Sequence, residues 1–421
     1  MMVNPQRLSS FLIMWSLRKV PPKRLKLRPL LKERPPSYHQ QYVERYQQLH
    51  RNIQWLVIIS ILANTAPISL LPGCPNRFYR LLHLCWMILW YGCFAVASYW
   101  EFMHNTIRRA SLDRYLNAIE SVVYIIHIFV IMLFTWHWRN WIPKVFKEFV
   151  KSDLERGYTI NRNRSRRFVA LQLLLVGLFT SFAFILALWS QKFEIYKSIL
   201  NIICYVMPNI ISSLSFIQYY LLLQGIAWRQ GKVTENLERE LFNLINPRKS
   251  EIQKFRLHHA ELMYFTWLVN RTFQWSIVLL FVGCFLNFNL VLFLVYQGVE
   301  NPDVGDWSKW LYMLLWLAMH LGKVFSILYF NQKVQDEQSR CLGIVNGVSF
   351  SECDLQETIN HFALQLKTDV RQHVVGGLME LNLKFLTALL VASADFFIFL
   401  LQYDVTYEAL SKSAKGNVTK T

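Results

Sequence analysis

The chain has 421 residues, 53% of them hydrophobic and only 17% charged, yet its formal net charge is +18. Soluble domains carry about 25% charged residues, so a chain both apolar and basic points to a membrane protein with cationic loops. It does not fit a nucleic-acid binder, where Lys and Arg share a polar face beside a modest core; here they lie between long apolar runs.

A membrane core about 30 Å thick needs about 20 apolar residues in a helix to cross it. Eight stretches approach that length, at roughly 53–71, 81–100, 119–137, 168–189, 199–228, 275–297, 310–330 and 385–403. Ahead of them, residues 1–52 are basic and carry Pro21-Pro22 and Pro35-Pro36. They are too long and too charged for the leading region of a cleaved signal peptide. Their run RLKLRPLLKERPP suits anionic lipid, and placement on the cytoplasmic side explains it equally well. The first apolar stretch carries Asn64 and Pro67 and is followed at once by GCPN. A short broken helix at the cytoplasmic interface, or dipping into it, suits it better than a span. Two longer polar segments, 229–274 and 331–384, read as helical. The first has apolar residues at spacings of three and four and is broken at Asn246-Pro247. His258-His259 within it is expected on a solvated face. The seven cysteines form no C-x-x-C pair and read as small hydrophobic fillers, with one disulfide left open.

Charge decides between eight spans and seven. Lys and Arg accumulate on the cytoplasmic side of short loops. If the first stretch does not cross and the N-terminus is inside, the inside segments hold 35 Lys and Arg and the outside segments 9. If all eight cross, 22 basic residues move outside. Seven spans are therefore expected in an all-α polytopic membrane protein, with a cytoplasmic N-terminus and an extracellular C-terminus. Residues 1–80 form a cytoplasmic N-terminal region with an interfacial or re-entrant helix over 53–71. Transmembrane helices one to four fill 81–228, and a cytoplasmic helical segment fills 229–274. Helices five and six fill 275–330, cytoplasmic helices 331–384, helix seven 385–403 and an extracellular tail 404–421.

This orientation answers a question raised by Asp113-Arg114-Tyr115. The tripeptide marks the cytoplasmic end of the third span in G-protein-coupled receptors. Here it lies in the loop 101–118, before the second span and on the outside. The last span also lacks any proline, so the match is read as chance.

The last span reads ASADFFIFLLQYD near its outer end. An acid at membrane depth is costly unless it faces protein or water. Asp395, Phe399, Gln402 and Tyr403 follow i, i+4, i+7, i+8 spacing and share one helical stripe. Such a stripe suits the wall of a cation pore: the acid attracts cations, the ring gates by dewetting and the amide replaces water. An Asp395 buried against another helix, with Gln402 merely at an interface, is the alternative. Phe396, Ile398 and Leu400 face lipid or neighbouring helices.

The same stretch resembles the end of insect gustatory receptors, whose final span carries T-Y, five apolar residues, then Q-F. Here those positions read Asp395-Phe396, Phe397 to Leu401, and Gln402-Tyr403. The spacing and the glutamine match; Asp395, Phe396 and Tyr403 depart. The preceding VVGGLMELNLKF is similar to the family's approach to that span, carried by Gly377 and Asn382. The coarse plan agrees over nearly the whole chain. The resemblance implies a ligand-gated, non-selective cation channel in the plasma membrane of sensory neurons. It implies a homo- or hetero-tetramer with related subunits, helix seven around a central pore and cytoplasmic helices packed as an anchor. Gln402 and Tyr403 would form the outer constriction, with Phe399 one turn below. Sugar receptors of the family often carry Glu where Phe397 stands, so bitter or other aversive molecules are the expected tastants.

The ligand would enter a pocket among spans two to six. Aromatic and amide residues in their outer halves are the candidates: Tyr124, His127, Trp189, Tyr205, Asn209, Asn289, Tyr296, Trp310, Tyr312 and Trp316. Interfacial aromatic belts explain several of them equally well. Asn417-Val418-Thr419 is a glycosylation sequon in the outside tail, whereas the sequons at Asn163 and Asn270 fall inside. No metal-ligand cluster, phosphate loop or nucleophile elbow occurs, so neither an enzyme nor a cofactor is expected. The partners expected are a small-molecule tastant, membrane lipid and sister subunits, and no nucleic acid. A transporter pairing Lys323 with Asp395 is the rival, although the repeat symmetry it calls for is not evident.

Overall fold

The computed structural model describes residues 36–70, 77–104, 111–137, 141–158, 162–190, 194–243, 248–300, 307–368, 374–375 and 379–418. Nearly all are helical. In chain order the helices are α1 (Pro36–Leu62), α2 (Arg77–His104), α3 (Ser111–His137), α4 (Trp141–Glu155), α5 (Arg162–Ser190) and α6 (Ile195–Asn201). They continue as α7 (Met207–Asn243), α8 (Lys249–Glu300), α9 (Trp307–Asn346), α10 (Cys353–Thr368) and α11 (Lys384–Val418). Six of the helical segments are long and apolar enough to cross a membrane, or seven if α3 and α4, bent by 59° to one another, count as one span. The expected all-α architecture is thus the observed one, with six or seven candidate spans where seven were expected.

The first apolar stretch breaks where Asn64 and Pro67 stand. Asn64 adopts φ 59°, the left-handed conformation that asparagine tolerates. Thr65 N–H then donates to Ser60 O at 2.8 Å and Asn64 N–H to Ile61 O at 3.1 Å, which closes α1 with a Schellman motif. A short 3-10 turn follows at Ile68–Leu70. Gln218 of α7 donates to Thr65 O at 3.0 Å, so the broken end is tied into the bundle. Ile53, Leu56, Val57 and Ile61 pack there with Ile142, Leu214 and Ile217.

Helices α7, α8 and α9 form the centre. Phe216, Tyr219, Leu223, Ile226, Ile277, Ile327 and Leu328 meet in its core. By contrast α2, α5 and α11 expose large apolar side chains such as Trp86, Leu174 and Phe399, as membrane-facing or subunit-facing helices do. At 1.5 Å per residue, the 52 residues of α8 span about 78 Å, far beyond a membrane's 30 Å. Its apolar half runs from Trp275; the half from Lys249 carries Lys, Arg, His and Glu. That half therefore projects out of the membrane. The C-terminal arms of α7 and α9 run beside it. Leu237 and Leu241, Ile252, and Cys341 and Val345 from these arms close around Leu355, Ile359, Phe362 and Leu366 of α10. Those four recur at the spacing of an amphipathic helix.

Several expectations change. His258 and His259 are buried, not solvated. Tyr158 stacks on His258 at 5.8 Å, and Phe362 meets His259 edge-on at 5.9 Å. In 229–274 the polar pattern marks contact between helices, because neighbouring arms cover what a lone helix would expose. The segment 331–384 is not wholly helical: a two-stranded hairpin pairs Val374 with Glu380 and Val375 with Met379. The stretch after 403 stays helical to Val418. Asp113, Arg114 and Tyr115 fall in the first turn of α3. Segment 138–167 holds α4, whose Val145, Phe149 and Val150 are buried. Of the cysteines described, Cys204, Cys284 and Cys341 are buried fillers, whereas Cys85, Cys93 and Cys353 are exposed; all six are free thiols. Cys74, Gly377 and the basic run of the N-terminus lie outside the described residues.

Candidate functional site

A cleft with a cavity volume of about 170 Å³, partly open to the surroundings, lies between α5, α7 and α9. Its walls include Val176, Phe179, Ile217, Tyr220, Trp316 and Met319. Aromatic and aliphatic walls with a few polar groups suit a small organic ligand. The helix that carries one wall is irregular near its start. Pro208 has no N–H to offer the carbonyl of Cys204, and the chain just before it, Ile202–Val206, winds as a π-helix. Met207 N–H accordingly reaches back to Ile202 O. Asn209 Nδ2 donates to Tyr205 O at 3.0 Å and Ser213 Oγ to Asn209 O at 2.7 Å.

A buried polar chain runs from the cleft into the bundle. Lys323 Nζ donates to Asn209 Oδ1 at 2.9 Å and Asn209 O at 3.2 Å. Asn209 Nδ2 donates to Tyr124 OH at 3.2 Å, and that hydroxyl lies 2.8 Å from His320 Nε2. Lysine only donates, so Asn209 receives through its oxygen and gives through its nitrogen, while the direction between Tyr124 and His320 follows the imidazole tautomer. Tyr220 OH donates to the Lys323 carbonyl at 3.1 Å. Nearby, His127 Nε2 and Ser276 Oγ are 2.8 Å apart. Each of these atoms is engaged, as buried polar groups must be.

The sequence-derived pocket residues separate into three groups. Tyr124, His127, Tyr205, Asn209 and Trp316 are buried around the cleft and its polar chain, with Asn209 and Trp316 lining it directly. Asn289 is buried on α8 and donates to Phe285 O at 2.8 Å, Tyr296 packs on Phe293, and Trp189 is 54% exposed at the end of α5. The side chains of Trp310, Tyr312 and Asn417 lie outside the described residues. Sequence reasoning missed His320, Tyr220 and Ser213. It saw Lys323 only as a transporter residue; its position seven residues beyond Trp316, on the same helical face, was the available signal. The sequon asparagine Asn270 is buried and accepts from Tyr219 OH at 2.7 Å.

The second feature is α11. Phe396 packs on Phe285 at 5.3 Å and Phe385 on Phe281 at 5.1 Å, while Ser393 and Leu400 are buried. That face holds α11 to α8. Asp395, Phe399, Gln402 and Tyr403 are all exposed. Asp395 shares a shallow groove with Lys384, Thr387, Ala388 and Val391. Asp395 and Lys323 form no ion pair: Lys323 turns to Asn209, and Asp395 lies on the outer surface of α11. Asn382 starts the helix, its Oδ1 accepting from Phe385 N–H at 3.1 Å, which is the geometry of an N-cap.

Comparison with known proteins decides the family. The model of the 7tm chemosensory receptor family matches residues 71–407. The chain belongs to that family. Gustatory receptor 59f of Drosophila melanogaster is 65% identical over 395 residues, 94% of this chain and 97% of that protein. Gustatory receptor 59e of the same species is 29% identical over 142 residues, covering 31% of this chain and 36% of that protein. The olfactory receptor OR5 of Machilis hrabei has the same fold, with a TM-score of 0.57 and 13% identity over 85% of this chain and 99% of that one. OR5 in complex with eugenol matches with a TM-score of 0.56. The receptor is a multi-pass membrane chemoreceptor of the gustatory kind and not an enzyme.

Proposed function

We propose that the receptor is a ligand-gated, non-selective cation channel responding to bitter or other aversive small molecules. It acts in the plasma membrane of sensory neurons, with a cytoplasmic N-terminus and an extracellular C-terminus. Four subunits, identical or mixed with related receptors, surround one pore, and α11 of each lines it. The observation that carries this reading is the two-sided character of α11. One face is packed on α8 through Phe396 and Phe385, and the other exposes Asp395, Phe399, Gln402 and Tyr403. A lone acid facing lipid is costly, and a water-filled axis between subunits removes that cost. Tyr403 and Gln402 then stand at the outer constriction, with Phe399 a turn deeper. The arms of α7, α8 and α9 with α10 act as the cytoplasmic anchor. The cleft beside α9 receives the tastant; the eugenol complex of the Machilis receptor makes a small aromatic a fitting size.

The test joins topology to current. Epitope tags at each terminus are stained on intact and on permeabilised cells. The C-terminal tag alone is expected on intact cells. Tastant application to excised patches should open a current carried by both Na⁺ and K⁺ without nucleotide or G protein. An externally stained N-terminal tag, or a current that vanishes on patch excision, would count against the channel.

A further inference from the structure

Lys323 has no charge partner among the described residues. It is buried in the wall of the cleft. Two of its three donors go to the side chain and carbonyl of Asn209. The groups around it are Tyr124 and His127 from α3, Asn209 and Tyr220 from α7, Cys284 from α8 and His320 from α9. Among the described residues no carboxylate reaches it. Held only by neutral oxygens, its ammonium form has no balancing charge. Its third donor is left for the cleft. The rest of that cleft is apolar, with Phe179, Ile217 and Trp316 as its walls.

We infer that the cleft takes an amphipathic organic anion, a carboxylate on an aromatic or aliphatic body, with Lys323 as its counter-ion. This rests on the reading of the cleft as the ligand site. The carboxylate meets Lys323 Nζ, and the body lies against Phe179 and Trp316. Organic cations are excluded, because a second positive charge would have to be desolvated beside the first. The anion is either a water-borne acid or a fatty acid that reaches the receptor through the membrane.

The test uses the full-length receptor in nanodiscs made of zwitterionic lipid, with binding measured by calorimetry. The probes are phenylalkanoates, their primary amides, the amines of the same skeleton, and oleate. Charge-assisted hydrogen bonds are about twice as strong as neutral ones, so the acids should bind about tenfold tighter than the amides. The amines should not bind. Lys323→Arg keeps the preference and Lys323→Met levels acid with amide. Gly322→Leu fills the cleft without touching Lys323. A Cβ at Gly322 meets no atom within 4 Å, so the variant should fold and weaken acid and amide alike. If Lys323→Met does not fold, the wild-type ranking together with Lys323→Arg decides.

Binding by phenylalkanoates without oleate marks a water-borne source, and the reverse marks a membrane-borne one; either supports the inference. Amides or amines that bind as tightly as the acids, or no binding by any acid of the set, overturns it. Current recordings separate the two readings. Acids that bind through Lys323 yet open no current leave the inference standing and remove the channel. Currents opened by neutral or cationic compounds, and unchanged in Lys323→Met, do the opposite.

Discussion

Arg229 holds Asp153 through two parallel hydrogen bonds, Nε to Oδ1 at 2.8 Å and Nη2 to Oδ2 at 2.6 Å, with both side chains buried. The guanidinium also lies 4.1 Å over the ring of Phe149 and donates to Gly225 O at 2.9 Å. Two helices distant in sequence, α4 and α7, are joined at this point. Removing one partner leaves a buried charge alone, at a cost of about 3–5 kcal/mol. Asp153→Ala and Arg229→Met are each expected to abolish most surface expression. The double variant should recover part of it, because it leaves no lone charge. Surface biotinylation reads this, and a double variant no better than the singles would show that the pair is not what fails.

Asp395 is exposed on α11, and among the described residues it makes no ion pair or hydrogen bond that holds the fold. Asp395→Asn should therefore leave expression intact while altering cation permeability or rectification. The expected sign is a lower preference for divalent over monovalent cations, read from reversal potentials. An unchanged current–voltage curve in a well-expressed variant would remove Asp395 from the pore wall.

Asn382 caps α11 at its first turn, and its Nδ2 also donates to Glu380 Oε2 at 2.9 Å. Replacement by Ala loses a cap worth about 1 kcal/mol. Asn382→Ala should lower the thermal midpoint of the purified receptor by a few degrees, and Asn382→Asp should restore it. Equal midpoints in all three proteins would mean that the cap contributes nothing.

Burial holds His258 down to about 2, helped by the charges of Arg156 and Arg229, and holds His259 down to about 4, against an ordinary 6.5. Both are neutral in the folded arm. Their contribution is full above pH 6.5, where the unfolded chain is neutral too. It is lost as pH falls from 6.5 towards those lower values, since the unfolded imidazoles take up protons that the folded ones refuse. The thermal midpoint should thus fall between pH 7 and pH 5. His259→Phe should flatten that slope, and a midpoint independent of pH in the wild type would contradict the buried neutral state.

Much of this was legible because membranes impose one-dimensional rules. The apolar runs, the break at Asn64 and Pro67, and the stripe from Asp395 to Tyr403 are all local signals. What sequence alone could not show is pairing across distance. His258-His259 looks solvated until Tyr158 and Phe362 cover it from other helices. Nothing near Asp153 in sequence announces Arg229. The hairpin at Val374 and Met379 has strands of two residues each, too short to leave a periodic pattern. The continuation of α11 past Tyr403 was hidden by a change of polarity, which marks a change of surroundings and not the end of a helix.

One helix, α8, passes from Lys249 to Glu300 without a joint. It touches α11 at Phe281 and Phe285 and the α10 arm at His259. From Phe281 to Ile252 it runs 29 residues, about 44 Å at 1.5 Å per residue. The contact with α11 and the distant cluster around α10 are thus carried on one continuous helix, with no loop between them to take up a displacement.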